Sequence, residues 1–89
     1  MTGTYGKEIP DIAALCVHEL TRAAGLHEPF YSAHEGFAIL QEEVDELWEC
    51  VKTNRGYTQD AVDEAIQVAA MAMRYVLDCG GAVVGMRAA

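Results

Sequence analysis

The segment QEEVDELWEC, residues 41–50, places several carboxylates within three helical turns. On a helix, residues three or four positions apart share a face, so Glu43 and Glu46 project side by side. Like charges at that spacing repel by a few tenths of a kcal/mol, and a cation between them would remove this cost. The segment is therefore either a solvated helix face or part of a metal site. Its acidic residues are Glu42, Glu43, Asp45, Glu46 and Glu49.

A second polar pair, Glu64 and Gln67, repeats the three-residue spacing within an otherwise largely apolar segment. If the two segments form an antiparallel helical hairpin that turns near residues 54–58, the heights of the two pairs are comparable. The first pair lies about 14 Å before the end of its helix, and the second lies about 11 Å after the start of the next. The two pairs are therefore predicted to meet across the helix interface.

Such a site would bring together three carboxylates and one amide oxygen, on facing helices of a bundle. A set made only of oxygen ligands favours a hard ion, and Mg²⁺ or Mn²⁺ fits it better than zinc or copper. Because the chain is acidic, a divalent cation would also be needed between the protein and any anionic substrate.

Three helices are predicted to position these residues. Apolar residues recur at helical spacing after Pro10, and Gly25 is a suitable stop for the first helix. Ser32 and Glu35 have the capping-box spacing at the start of the second helix, which is predicted to end near Asn54.

The third helix is capped by Thr58 or Asp60 in this prediction and ends at Gly80 and Gly81. No strand alternation, internal repeat or second domain is visible in the sequence. We therefore expect a single helical domain over residues 1–89, with its core at about 10–79 and a flexible tail at 80–89.

The third helix is apolar over so wide an arc that one chain is not expected to cover it. Ala65, Ala69 and Ala72 would permit the close approach of a neighbouring helix. A chain of 89 residues also buries only about 60 to 65% of its unfolded surface. The predicted fold is therefore an all-α hairpin bundle with three main helices per chain, completed in a homodimer or homotetramer as a four-helix-type core.

Composition excludes several function classes. A formal net charge of -8 argues against nucleic acid and anionic membrane surfaces as partners. The cysteines, Cys16, Cys50 and Cys79, are odd in number and lack metal-site spacing, which argues against a disulfide framework or a structural zinc site. No apolar run approaches the roughly 18 residues of a membrane span, and a soluble cytoplasmic protein is expected.

The acidic segments also carry a family resemblance. The run Glu42-Glu43-x-x-Glu46 followed by Glu64-x-x-Gln67 resembles the EExxE…ExxD signature of the MazG-like, all-α nucleoside triphosphate pyrophosphohydrolases. The flanking text "SAHEGFAILQEEVDELWE" and "EAIQVAAMAMRYV" is similar to small single-domain members, and the resemblance extends over about residues 10–79.

The resemblance implies a Mg²⁺-dependent enzyme that cleaves an NTP or dNTP between its α- and β-phosphates. Glu43, Glu46 and Glu64 would be metal ligands. Gln67 would be the fourth ligand at a position where the family usually has Asp, so the site would have one negative charge fewer. Glu46 or Glu42 would orient the attacking water or act as the general base.

Side chains for substrate binding are few. Lys52 and Arg55 follow the acidic segment, where they could bind phosphate or complement a helix C-terminus. Arg74 lies two turns after Gln67 and needs a partner on a mostly buried helix, either a phosphate or a structural carboxylate. Trp48 is the candidate platform for the base, although aromatics at helical spacing are more often part of a core.

Two other functions remain open from the sequence. One is a non-catalytic helical interaction module that retained the scaffold and lost its chemistry at Gln67. The other is a related dUTPase-like hydrolase, which base preference would distinguish. Asp63, one turn before Gln67, could compensate for the missing charge.

Overall fold

The fold consists of three α-helices in a computed structural model that describes residues 5–81. They are α1 (Glu8–Leu26), α2 (Ala33–Lys52) and α3 (Gln59–Cys79), and no strand occurs between residues 5 and 81. The predicted all-α class is therefore confirmed. Most of the predicted flexible tail, residues 82–89, lies outside the described residues.

The start of α2 follows the predicted capping sequence. Ser32 is the N-cap, and its Oγ accepts a hydrogen bond from the backbone N–H of Glu35 at 3.1 Å. The Glu35 carboxylate accepts from the backbone N–H of Tyr31, one residue before the cap, at 3.0 Å. These bonds satisfy backbone donors that the first turn of a helix leaves unpaired.

The α2–α3 connection forms the predicted hairpin turn. Asn54 has a φ of 62°, a left-handed conformation that Asn adopts more readily than most residues, and this ends the α-helical path after Lys52. Thr58 then caps α3, because its hydroxyl accepts from the backbone N–H of Ala61 at 3.3 Å. Of the two predicted caps, Thr58 is thus the one used.

Helix α3 is the central element of the chain. Both α1 and α2 pack against α3, whereas α1 and α2 do not pack against each other within residues 5–81. The buried cluster consists of Ala23, Phe30, Ala70 and Met71, and it is flanked by the half-buried Leu20, Ile39, Leu40 and Tyr75. The gap between α1 and α2 leaves a cleft whose floor is α3.

Gly36 allows the loop before α2 and the end of α3 to approach α2 closely. A Cβ at this position would lie 2.9 Å from Phe30 Cδ2 and 2.9 Å from Tyr75 Cδ2. Such distances are far shorter than a van der Waals contact, so only glycine fits between the two rings. Glycine at this position therefore lowers the helix propensity of α2 but permits the packing of Phe30 and Tyr75.

The core within one chain is small, and many large apolar side chains remain in water. On α2, Leu40 and Leu47 are half-buried, whereas Val44 is exposed. Phe37 and Val51 share that exposed side. None of the helices within residues 5–81 has the length and apolar character needed to cross a bilayer.

Candidate carboxylate site

Glu43 and Glu46 of α2 meet Glu64 of α3 at the interface of these helices. Each residue offers a carboxylate oxygen, and these oxygens all lie within 4.8 Å of one another. Glu43 and Glu64 are half-buried, whereas Glu46 is exposed. The hairpin therefore brings together the three carboxylates whose heights match along the two helices, and we call this group the carboxylate cluster.

The carboxylate cluster is electrostatically unfavourable as it stands. Burial raises the pKa of Glu43, and the neighbouring charges of Glu46 and Glu64 raise it further. Burial likewise raises the pKa of Glu64, and the nearby carboxylate of Glu46 raises it further. Three negative groups thus share a space with no positive side chain among them.

One atom of the carboxylate cluster is both buried and unpaired. Glu64 Oε2 has almost no accessible surface and no hydrogen-bond partner within the part of the chain that the structure describes. A buried acceptor left unsatisfied costs about 1 to 3 kcal/mol, and more when it is charged. A proton or a cation at this oxygen would remove that cost.

A cavity of about 410 Å³ lies in the cleft between α1 and α2, beside the carboxylate cluster. Glu43 belongs to both, so the cavity and the carboxylate cluster form one continuous site. The remaining lining residues are Arg22, Ala23, His27, Glu28, Phe30, Glu35, Ile39, Glu42, Gln67, Met71 and Arg74.

Gln67 lines the floor of this cavity, and it also lines a second cavity beside Glu19. The pKa of Glu19 is lowered chiefly by its hydrogen bond with Arg22, and the nearby Gln67 amide contributes. Gln67 therefore lies between the carboxylate cluster and α1. Asp63 lies on the α1 side, where it accepts from Gln59 Nε2 at 2.7 Å.

Arg74 is buried, with only 7% of its surface exposed, and it binds the chain itself. Its guanidinium donates to the backbone carbonyl of Glu28, lies 3.5 Å from Asp78 Oδ2, and stacks 4.1 Å from the centre of the Phe30 ring. Asp78 in turn accepts from the backbone N–H of Phe30 at 3.0 Å. We call this group the arginine latch, because it joins the α1–α2 loop to α3.

The other predicted substrate-binding residues do not line the cavity. Lys52 pairs with Glu49 at 2.9 Å, and Arg55 donates to Thr53 Oγ1 at 3.1 Å near the end of α2. Trp48 is exposed on a different side of α2. Of the two predicted candidates for the general base, Glu42 lines the cavity and Glu46 belongs to the carboxylate cluster.

Sequence reasoning missed the contribution of α1 and of the following loop. Arg22 and His27 line the cavity, and Phe30 and Met71 form part of its apolar wall. No motif connects these residues with the acidic pairs, because their proximity depends on how α1 lies on α3.

Comparisons with protein family models, with curated proteins and with solved structures find no match to this chain.

Proposed function

We propose that this protein is a Mg²⁺-dependent nucleotide pyrophosphohydrolase that converts an NTP or dNTP to a nucleoside monophosphate and pyrophosphate. The observation that carries the proposal is the convergence of Glu43, Glu46 and Glu64 beside a cavity of about 410 Å³. The resemblance to the MazG-like signature supports the same reaction. The proposed working unit is a homodimer or homotetramer.

The carboxylate cluster has the chemistry of a divalent cation site. Its donors are hard oxygens, which suit Mg²⁺ or Mn²⁺. The unpaired Glu64 Oε2 and the raised pKa values of Glu43 and Glu64 indicate negative charge that lacks a counter-ion. Glu43, Glu46 and Glu64 would hold the ion, and Gln67, which lines the same cavity as Glu43, would be a neutral ligand.

The cavity is suited to the remainder of the nucleotide. Its volume lies within the range of roughly 300 to 1,000 Å³ that is usual for small-molecule sites. Ile39, Phe30 and Met71 supply apolar walls for a base, and Arg22 supplies a cation at the α1 side. A bound Mg²⁺ would neutralise the charge of the phosphates and lower the pKa of a water molecule.

The reaction transfers the nucleotidyl group, which is the nucleoside with its α-phosphate, to water. The water oxygen attacks the α-phosphorus, and the bond from this phosphorus to the α–β bridging oxygen breaks, so pyrophosphate leaves. Glu42 or Glu46 accepts the proton that the water loses. Glu46 belongs to the carboxylate cluster, whereas Glu42 lines the cavity.

The direct test is pyrophosphate release from a panel of ordinary and modified NTPs and dNTPs, including dUTP, with Mg²⁺ or Mn²⁺ and with chelator as control. We expect metal-dependent release, and the preferred base identifies the substrate and separates a dUTPase-like hydrolase from the others. Glu43→Gln should abolish turnover. The matched control is Glu49→Gln, which removes the same charge from an exposed position on α2 and breaks only a surface ion pair.

A non-catalytic interaction module is the alternative, and the placement of the cations favours it. Arg74 is engaged in the arginine latch, Lys52 pairs with Glu49 outside the cavity, and Arg22 pairs with Glu19. Each of these cations therefore already has a partner within the chain. Gln67→Asp distinguishes the two functions. Release that appears only in the variant would identify a scaffold that has lost its chemistry, whereas high release in both proteins would support the enzyme with glutamine in place.

A further inference from the structure

Acidic side chains line the cavity along its α2 wall, so this wall accepts hydrogen bonds and repels anions. Glu35 lies in the first turn of α2, whereas Glu42 and Glu43 lie about two turns further along, beside the carboxylate cluster. An ionised carboxylate has acceptor sites only. The phosphates of a nucleotide would therefore need the cation of the carboxylate cluster, and a group that binds at Glu35 must be a hydrogen-bond donor.

The carboxylate of Glu35 is held in one orientation by the capping box of α2. One of its oxygens, Oε1, accepts from the backbone N–H of Tyr31 at 3.0 Å, and the hydroxyl of Ser32 caps the same turn. Glu35 is exposed and lines the cavity, so its second oxygen, Oε2, can accept from a ligand there. Glu35 thus offers one oriented acceptor at the cavity wall.

An apolar surface lies between Glu35 and the carboxylate cluster. Ile39 is four residues after Glu35 and four before Glu43, about 6 Å from each along the helix axis. Phe30 of the α1–α2 loop and Met71 of α3 belong to the lining of the same cavity. The axial spacing of about 12 Å between Glu35 and Glu43 is comparable with the length of a nucleotide from its α-phosphate to the far edge of its base. A base that lies against Ile39, with its phosphate at the carboxylate cluster, would therefore present its edge to Glu35.

The bases differ in what they offer at that edge. Adenine and cytosine carry an exocyclic amino group, which donates, whereas hypoxanthine and uracil carry a carbonyl oxygen at the same ring position, which only accepts. Beside Glu35, an amino group would form a charge-assisted hydrogen bond, and a carbonyl oxygen would face a like charge. A site with an oriented hydrogen-bonding group rejects an analogue that cannot pair with it.

We propose that Glu35 selects nucleotides whose base carries this amino group, those of adenine or cytosine, over their carbonyl counterparts. The inference rests on the proposed function in that the cavity takes a nucleotide, and it names the class of substrate that the cavity prefers. It also separates this protein from a dUTPase-like hydrolase, because uracil would present a carbonyl oxygen to Glu35. Glu35 contacts the base and takes no part in the transfer to water.

Binding of nucleoside monophosphates tests the proposal without any turnover. The matched pairs are CMP with UMP and AMP with IMP, each titrated calorimetrically in Mg²⁺. In at least one pair we expect the amino member to bind about tenfold or more tightly, the factor that one hydrogen bond to a charged group contributes. Glu35→Gln should invert that preference. Glutamine also completes a capping box, so its oxygen accepts from Tyr31 and its amide N–H donates to a carbonyl.

Two control variants separate a direct contact from an indirect one. Ser32→Ala removes the other half of the capping box, and Glu49→Gln removes an exposed charge elsewhere on α2, so both should keep the wild-type preference. Equal binding within both pairs, no binding of any of the four nucleotides, or a preference that Glu35→Gln leaves unchanged would overturn the proposal. An equal shift in Ser32→Ala, or a shift in Glu28→Gln but not in Glu35→Gln, would overturn it as well.

Pyrophosphate release from CTP, UTP, ATP and ITP, measured on the same proteins, distinguishes this inference from the proposed function. Equal release from the amino and carbonyl bases would support the enzyme and overturn the selectivity. Selective binding of the monophosphates without any release would support the selectivity and overturn the enzyme.

Discussion

The arginine latch and the carboxylate cluster both place ionisable groups between packed helices, but they differ in balance. In the arginine latch, Arg74 meets an opposite charge in Asp78, a backbone carbonyl and an aromatic ring. In the carboxylate cluster, three like charges meet one another, and Glu64 Oε2 has no partner among residues 5–81. The first arrangement is complete within the chain, whereas the second needs a proton or a cation.

This difference separates charged groups that have partners within the chain from charged groups that repel one another. A buried pair whose donors and acceptors are all used leaves nothing for a ligand, and losing one partner is costly. A group of carboxylates with raised pKa values lowers the stability of the fold until a proton or a cation binds to it. Binding at such a group therefore stabilises the folded state. Mutations in the arginine latch should therefore lower the free energy of unfolding, whereas removing a charge from the carboxylate cluster should raise it.

The largest expected effect comes from Arg74→Met. The substitution keeps much of the side-chain volume but leaves the Asp78 carboxylate and the Glu28 carbonyl without their partner, and we expect a loss of about 3 kcal/mol in the free energy of unfolding. Urea denaturation measures the loss. Arg22→Met is the control, since the ion pair of Arg22 with Glu19 is partly exposed, and surface ion pairs contribute little to stability.

A stable Arg74→Met protein that lost only nucleotide affinity would reverse the assignment. Arg74 would then act on substrate, as the sequence allowed, and the contacts of the arginine latch would be incidental.

Gly36→Ala disturbs the packing of Phe30, the aromatic ring of the arginine latch, without removing any charge. The new Cβ would approach the rings of Phe30 and Tyr75 to 2.9 Å, so we expect a loss of about 1 to 2 kcal/mol despite the better helix propensity of alanine. Thermal unfolding measures this loss. Gly25→Ala in α1 is the control, because its Cβ would meet no atom within 4 Å. A gain in stability at both positions would show that the rings move apart at little cost.

Glu64→Gln should raise stability, whereas the mutations in the arginine latch should lower it. Without divalent ions, the substitution removes one of three repelling charges, and we expect stability to rise by about 0.5 to 1 kcal/mol at neutral pH. It should also abolish the stabilisation that Mg²⁺ gives the wild-type protein by binding the folded state. Thermal shifts with Mg²⁺ and with chelator report both effects, and a variant that Mg²⁺ still stabilises would place the ion elsewhere.

The smallest effect is the pH dependence of stability in chelator. Because the pKa values of Glu43 and Glu64 are raised in the folded state, that state binds more protons than the unfolded chain above the usual pKa of 4.5. Their contribution to stability is thus complete below 4.5 and is lost as the pH rises through the raised values. Glu19 acts oppositely below 4.5, since its pKa is lowered.

The difference between wild type and Glu64→Gln isolates the carboxylate cluster in this titration. We expect the advantage of the variant to grow as the pH rises above 4.5 and to shrink when Mg²⁺ is added. An advantage that is independent of pH would mean that repulsion between ionised groups is not its cause.

Local signals in the sequence predicted the helices well. Ser32 and Thr58 act as N-caps because their hydroxyls satisfy nearby backbone donors, an interaction that depends on only a few neighbouring residues. The meeting of Glu43, Glu46 and Glu64 also followed from the sequence, since the rise per residue and one hairpin turn determine their heights.

Arg74 shows where such reasoning stops. Its position on a mostly apolar helix predicted that it needs a partner, but the sequence left open whether that partner is a phosphate or a carboxylate. The choice depends on the α1–α2 loop, which brings the Glu28 carbonyl and the Phe30 ring to the guanidinium.

The sequence by itself thus determined three helices, the N-caps of α2 and α3, the hairpin and the level at which the three carboxylates meet, because each depends on contacts along one helix or across one turn. The tertiary structure decided which charges are paired, where the cavity lies and which apolar side chains remain exposed. Those outcomes depend on how α1 and α2 each rotate against α3, and that rotation reflects the packing of all three helices together.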